Sequence, residues 1–235
     1  MTDDIISVEW NSSRKLQKLE FFLALLLIVA LIIIAIIFPA QQLLAGISFA
    51  MLMVWFAIAL ADSISERNLF VEHVGLGKDT KITFVVFLGA ILLAVIFQTF
   101  SLQTTTLLFL ASTAPSITNL QTDWNLIWVG LVFAIVEEML WRNTFIPTLN
   151  KLTGMKWFSI IFGNLTFAIA HLSAVTLTLT AKYGVVTPEN LLLILFSDFA
   201  FGMVCSIFNG MSKTTAFGYG FHISNNVARL VRGVL

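Results

Sequence analysis

The chain has 235 residues, 58% of them hydrophobic and only 11% charged, with 22 phenylalanines and a mean hydropathy of +0.94. A soluble domain carries roughly 25% charged residues, so this chain cannot cover itself with a wettable surface and reads as an integral membrane protein. Thirteen basic residues balance thirteen acidic ones, leaving no basic excess for nucleic acid, and the single Cys205 excludes an intrachain disulfide framework or a cysteine-based zinc cage.

About 20 mostly apolar residues are needed to cross roughly 30 Å of hydrocarbon. Residues 1–20 form a short N-terminal segment. The first uncharged run, Phe21–Phe38, ends at Pro39. No basic residue lies in the first 13 positions and no small-x-small cleavage site follows, so the run reads as a retained helix rather than a signal peptide. Leu43–Ala61 and Ile82–Phe100 follow, completing N-terminal transmembrane helices within 21–123. Thr105–Leu120 holds a short apolar stretch, Leu107–Ala111, which is re-entrant, interfacial or part of an eighth crossing. Four further spans, Trp124–Trp141, Trp157–Thr180, Leu191–Phe208 and Thr215–Val231, fill 124–235. The expected fold is all-α, one integrated polytopic membrane bundle of seven or eight transmembrane helices. With the N-terminus in the cytoplasm, the inner side collects ten Lys and Arg residues and the outer side keeps Lys182, Arg229 and Arg232. No internal repeat is visible, which weighs against inverted-repeat transporters.

Ionisable residues inside spans cost about 2.5–3.5 kcal/mol each on insertion scales and are treated as functional candidates. They are Glu137 and Glu138 in the fourth span, His171 in the fifth, Asp198 in the sixth and His222 in the seventh, joined by the amides Asn164, Asn225 and Asn226. Each also has an ordinary reading. Glu138 and Arg142, four apart, could be an ion pair snorkelling at the cytoplasmic end of the fourth helix. Asp198 and Asn164 could bridge helices by hydrogen bonds. His73 sits in a polar loop and takes no role; Cys205 has no basic neighbour in sequence and reads as core.

Taken together, the ordinary readings fall short. One arginine neutralises only one of two adjacent carboxylates, and Glu137 remains. Phe167 and His171 share a helix face, as do His222 and Asn226. A carboxylate and an imidazole can deprotonate a water, and a second imidazole with an amide can steady an oxyanion. Glu137, His171 and His222 are equally a donor set for a divalent metal such as zinc. Reckoned from the span ends at about 1.5 Å per residue, however, Glu137 lies about 6–8 Å deep and His171 about 20 Å, so the two meet only with strong tilt or shifted span ends.

No His-Glu-x-x-His, no Gly-x-Ser-Gly and no second intramembrane aspartate is present, which disfavours the other intramembrane hydrolases. Three motifs are recognisable instead. Glu137-Glu138-Met139-Leu140-Trp141-Arg142 fits Glu-Glu-x-x-x-Arg, Phe167–His171 fits Phe-x-x-x-His, and His222–Asn226 fits His-x-x-x-Asn. In this order the chain resembles the CAAX protease and bacteriocin-processing (Abi) family over about Trp124–Arg229.

The resemblance implies an all-helical intramembrane endopeptidase, CAAX-type or leader-peptide-processing. Glu137 and His171 would activate water, and His222 and Asn226 would stabilise the transition state. Glu138, Arg142 and Phe167 would support them. No cofactor is firmly expected, because no tight ligand pair lies on one helix; a metal, if used, would sit on Glu137, His171 and His222. The expected partners are membrane lipids and a hydrophobic or prenylated peptide or protein, in a prokaryotic cell membrane. A bacterial setting would favour a leader peptide or pheromone over a prenylated protein. The rivals are a non-catalytic immunity or scaffold protein of the same fold, a proton- or ion-coupled transporter, and a channel prompted by Gly218-Tyr219-Gly220.

Overall fold

The computed structural model describes residues 17–37, 50–51, 53–58, 61, 80–110, 124–183 and 188–231. Among these residues the chain is helical, with no strand. The elements are α1 (Gln17–Ile37), α2 (Thr80–Leu110), α3 (Trp124–Glu138), a π-helical segment (Met139–Phe145), α4 (Ile146–Thr153), α5 (Lys156–Tyr183), α6 (Pro188–Ser212) and α7 (Ala216–Val231).

The polarity of the bundle runs opposite to that of a water-soluble domain. Its outward faces carry Phe22, Leu26, Val85, Leu92, Leu192 and Phe196, all exposed, whereas Glu137, Glu138, Arg142, Asp198 and His222 are buried. Charge inside and hydrocarbon outside is the arrangement lipid selects, because an ionised group costs least when it faces the bundle interior. One run among the described residues, Leu191–Ser212, is long and apolar enough to cross a membrane by length and composition. Phe21–Ala30 and Lys81–Ile96 are shorter apolar runs.

The structure changes two of the expected boundaries. Residues 101–110 continue α2 instead of starting a connection; the rest of Thr105–Leu120 lies outside the described residues. The fourth span does not end at Trp141. α3 passes through the π-helical segment into α4, so one helical run extends from Trp124 to Thr153. Pro147 falls in the first turn of α4, where a proline's missing N–H does least harm. Of the expected Leu43–Ala61 span, only residues 50–51, 53–58 and 61 are described, and they are helical. Residues 1–16 and His73 lie outside the described residues.

The run closes at Gly154, whose backbone is left-handed (φ 66°) and whose N–H bonds to the Asn150 carbonyl at 2.8 Å. That is the αL helix stop, open to glycine without a Cβ penalty. The Ser159 hydroxyl donates to the Met155 carbonyl (2.9 Å), tying the start of α5 to the turn. The chain therefore reverses tightly, α5 packs along α4, and α6 packs along α5. α7 lies against α2, α3 and α6.

This hairpin resolves the depth mismatch. Glu137 stands sixteen residues before Thr153 and His171 fifteen after Lys156. Measured from the true turn, the two are level.

At the centre sit Met139, Leu140, Trp141 and Phe145 of the π-helical segment, all buried. Phe145 stacks on Phe21 of α1 (ring centroids 5.7 Å apart), and Trp141 meets Phe167 of α5 edge-on (5.4 Å). Phe201 of α6 stacks on Phe221 of α7 (5.2 Å). Aromatic pairs in these geometries contribute about 0.5–1.5 kcal/mol each beyond area burial. They hold α5, α6 and α7 around the helix that carries the acids.

Candidate active site

Glu137 and Glu138 are the last two residues of α3. Consecutive helical side chains point about 100° apart, so the two carboxylates reach different partners. Glu138 is fully buried, and its Oε1 faces Arg142 Nη1 at 3.3 Å and His222 Nδ1 at 3.0 Å. Glu137 presents Oε2 to His171 Nε2 and to His222 Nε2, both at 3.4 Å. His222 thus spans the pair, one ring nitrogen on each acid. The ion pair of Glu138 with Arg142 is buried at both ends (side chains 0% and 2% exposed), so it does not snorkel at a membrane edge.

The hydrogen-bond partners define the ring orientations. His171 Nδ1 lies 2.8 Å from the Phe167 carbonyl, which can only accept, so Nδ1 carries hydrogen. His222 Nδ1 faces the Glu138 carboxylate and donates likewise. Both Nε2 atoms then turn toward the same Glu137 oxygen. In the neutral rings three acceptor atoms face one another, a seat that suits a molecule bringing its own hydrogens, such as water. His171 is the most open member, its side chain 22% exposed against 10% for Glu137 and 4% for His222.

Phe167 packs at the middle of the cluster. Its ring lies 4.2 Å from that of His171 and 5.9 Å from that of His222, and Arg142 Cζ sits 4.2 Å above it. The guanidinium is held further by Nη2 donating to Asn164 Oδ1 (3.3 Å). Asn164 in turn donates to the Ile160 carbonyl (2.8 Å) and to Ser206 Oγ of α6 (2.9 Å). Asn164 therefore bridges helices as one of its expected readings has it; Asp198 is buried, and its Oδ2 has no hydrogen-bond partner among the described residues. Asn226 is half-buried one turn beyond His222 on α7, and Asn225 is buried beside it. Cys205 is in the core.

Sequence reasoning missed two supports. Asn209 Oδ1 accepts the Gly218 N–H (2.8 Å), fastening α6 to the start of α7. A Cβ on Gly218 would collide with Glu138 Oε2 and come within 2.7 Å of Asn209 Nδ2. Both of those atoms are buried without a hydrogen-bond partner among the described residues. Ahead of α7 the Thr214 hydroxyl caps the Ala216 N–H (3.2 Å). Helix propensity alone would make Gly218→Ala stabilising by about 1 kcal/mol. The contact with Glu138 reverses the sign: we expect a loss of about 1–3 kcal/mol, the usual range for overpacking. Thermal unfolding in detergent measures it, and a raised midpoint would show that the carboxylate has room to move.

Among proteins of known family, residues 119–228 match the model described as type II CAAX prenyl endopeptidase, Rce1-like. This chain carries an Rce1-like domain. The matched stretch contains all three motifs and every side chain of the cluster on α3, α5, α6 and α7 described above. The Rce1-like family is a membrane-embedded protease family. No curated protein and no solved structure matches the chain.

Glu137, His171 and His222 were named as the donors only for the case that a divalent metal is used. Among the described residues no group of three His, Cys, Asp or Glu side chains is arranged to hold one. Both imidazole nitrogens approach a single carboxylate oxygen.

Proposed function

We propose that the Rce1-like domain is an intramembrane endopeptidase that hydrolyses a peptide bond of a hydrophobic or membrane-associated substrate. The observation that carries this reading is the convergence of His171 Nε2 and His222 Nε2 on Glu137 Oε2 at 3.4 Å, inside a buried cluster that is open beside His171. The ionisable groups gather at one place and do not string out along a path, which favours bond chemistry over a proton relay.

In this mechanism Glu137 takes a proton from water as the oxygen attacks the scissile carbonyl carbon, and His171 steers the water and shares that proton. The carbonyl oxygen becomes an oxyanion. To steady that oxyanion His222 must carry hydrogen on Nε2 as well as on the Nδ1 that it donates to Glu138, and Asn226 one turn on offers amide hydrogens. Collapse of the intermediate breaks the C–N bond, and the proton held by Glu137 and His171 passes to the leaving nitrogen. Glu138, Arg142 and Phe167 hold these groups in place.

The substrate is a prenylated CAAX-type chain end or a leader-type peptide, cleaved with the N-terminus of the enzyme in the cytoplasm of a prokaryotic cell. Quenched-fluorescence peptides of both kinds test the reading. His171→Ala and His222→Ala should each lower cleavage by at least about 10²-fold. Exhaustive chelation of the wild type should leave the rate unchanged. Cleavage that survives both substitutions would place the chemistry elsewhere, and cleavage that chelation abolishes would replace the metal-free mechanism with a metal-dependent one.

A further inference from the structure

Asp198 is the one intramembrane acid that the mechanism above does not use. It is 6% exposed, and its Oδ2 has no hydrogen-bond partner among the described residues. Burying a carboxylate unpaired is costly, and an unsatisfied buried group of this kind calls for an explanation.

Its position comes from helix register. α5 and α6 run antiparallel, with Asn164 bonded to Ser206 and Phe167 stacked on Phe201 (6.3 Å). One turn up α5 from Phe167 is His171; one turn back along α6 from Phe201 is Asp198. The two are abreast. Asp198 therefore stands at the open side of the cluster. Arg142 pairs with Glu138, bonds Asn164 through Nη2 and covers Phe167, facing Gly202 one turn away from Asp198; its Nε and Nη1 make no hydrogen bond among the described residues. Glu137, Glu138 and Asp198 share the cluster with one arginine and the imidazoles of His171 and His222, and among the described residues no positive charge is bonded to Asp198 Oδ2.

Peptide hydrolysis generates that charge. Water adds across the C–N bond, the carbonyl carbon keeps the oxygen as a carboxylate, and both water hydrogens end on nitrogen as an ammonium group. We propose that Asp198 receives this ammonium, a cation subsite that holds the released segment by its newly formed amino terminus. The proposal rests on the hydrolase reading and adds a cation subsite to it.

The test uses products and does not depend on turnover. Purified full-length protein in non-ionic detergent is titrated with trileucine and with N-acetyl-trileucine, and binding is followed by thermophoresis. The free-amine peptide should bind the wild type about ten- to a hundredfold more tightly, the range for hydrogen bonds to a charged group. Asp198→Asn should erase that difference by weakening the free-amine peptide alone, and Asp198→Glu should retain most of it. If Asp198→Asn does not fold, the wild type and Asp198→Glu still decide. Equal binding of the two peptides, binding of neither, or a preference that persists in Asp198→Asn would overturn the proposal. Failure of the cleavage assay would remove the hydrolase reading without changing this comparison.

Discussion

Glu137→Gln should lower kcat for peptide cleavage by about 10²–10⁴-fold, the usual contribution of a positioned general base, while the protein still folds. The substitution conserves shape, but it removes the charge and the ability to take a proton and turns one acceptor oxygen into a donor amide. Glu137 is also the acid without the structural burden: its Oε2 faces two imidazoles, while Glu138 carries the arginine. Substrate binding should therefore persist, and the loss should appear in kcat with little change in KM. Single-turnover cleavage of a quenched peptide measures this. A variant that retains a tenth of the wild-type rate would mean that another group accepts the proton.

Arg142→Ala should be the most destabilising single change in the cluster, at about 3–5 kcal/mol, because it strands the fully buried Glu138 without its counter-charge. Arg142→Lys should fall between. It keeps a charge but loses the planar group that at once pairs with Glu138, donates to Asn164 and covers the Phe167 ring. Removing both charges, as in Glu138→Gln with Arg142→Met, should recover part of the stability, since a buried pair costs more when broken than when replaced. Chemical or thermal unfolding of the three variants in one detergent decides the order. An Arg142→Ala protein as stable as wild type would show that Glu138 does not depend on the guanidinium.

The residues that meet in the cluster were readable because they are expensive. In a chain with 11% charged residues, acids and imidazoles within apolar runs stand out singly. Helical spacing placed Phe167 with His171 and put Arg142 one turn from Glu138. What could not be read was the length of the helix that carries the acids. Pro147 ordinarily signals a helix end, and only the widened turn before it lets the run continue to Thr153, bringing Glu137 level with His171. The division of labour between the acids was also hidden, because neighbouring letters do not say which side of a helix meets α7. Asn209 and Gly218 left no trace of their own: an asparagine near the end of a span and a glycine in a Gly-Tyr-Gly run look like loop residues until α6 and α7 are placed together. Asp198 was visible as an oddity, and the register of α5 against α6 turned it into a neighbour of His171.

The loosened coil between Glu138 and Phe145 has a further consequence for how this protein tolerates change. A true break there would free several amides and carbonyls in surroundings that offer them no water. A change of winding re-aims side chains while the chain stays helical from Trp124 to Thr153. Gaining or losing one amino acid in that stretch would rotate one half of the rod against the other by about 100°, parting the acids from the guanidinium while both halves stay helical. Indels here should be silent in circular dichroism and fatal to function, and so rare among working versions of this gene.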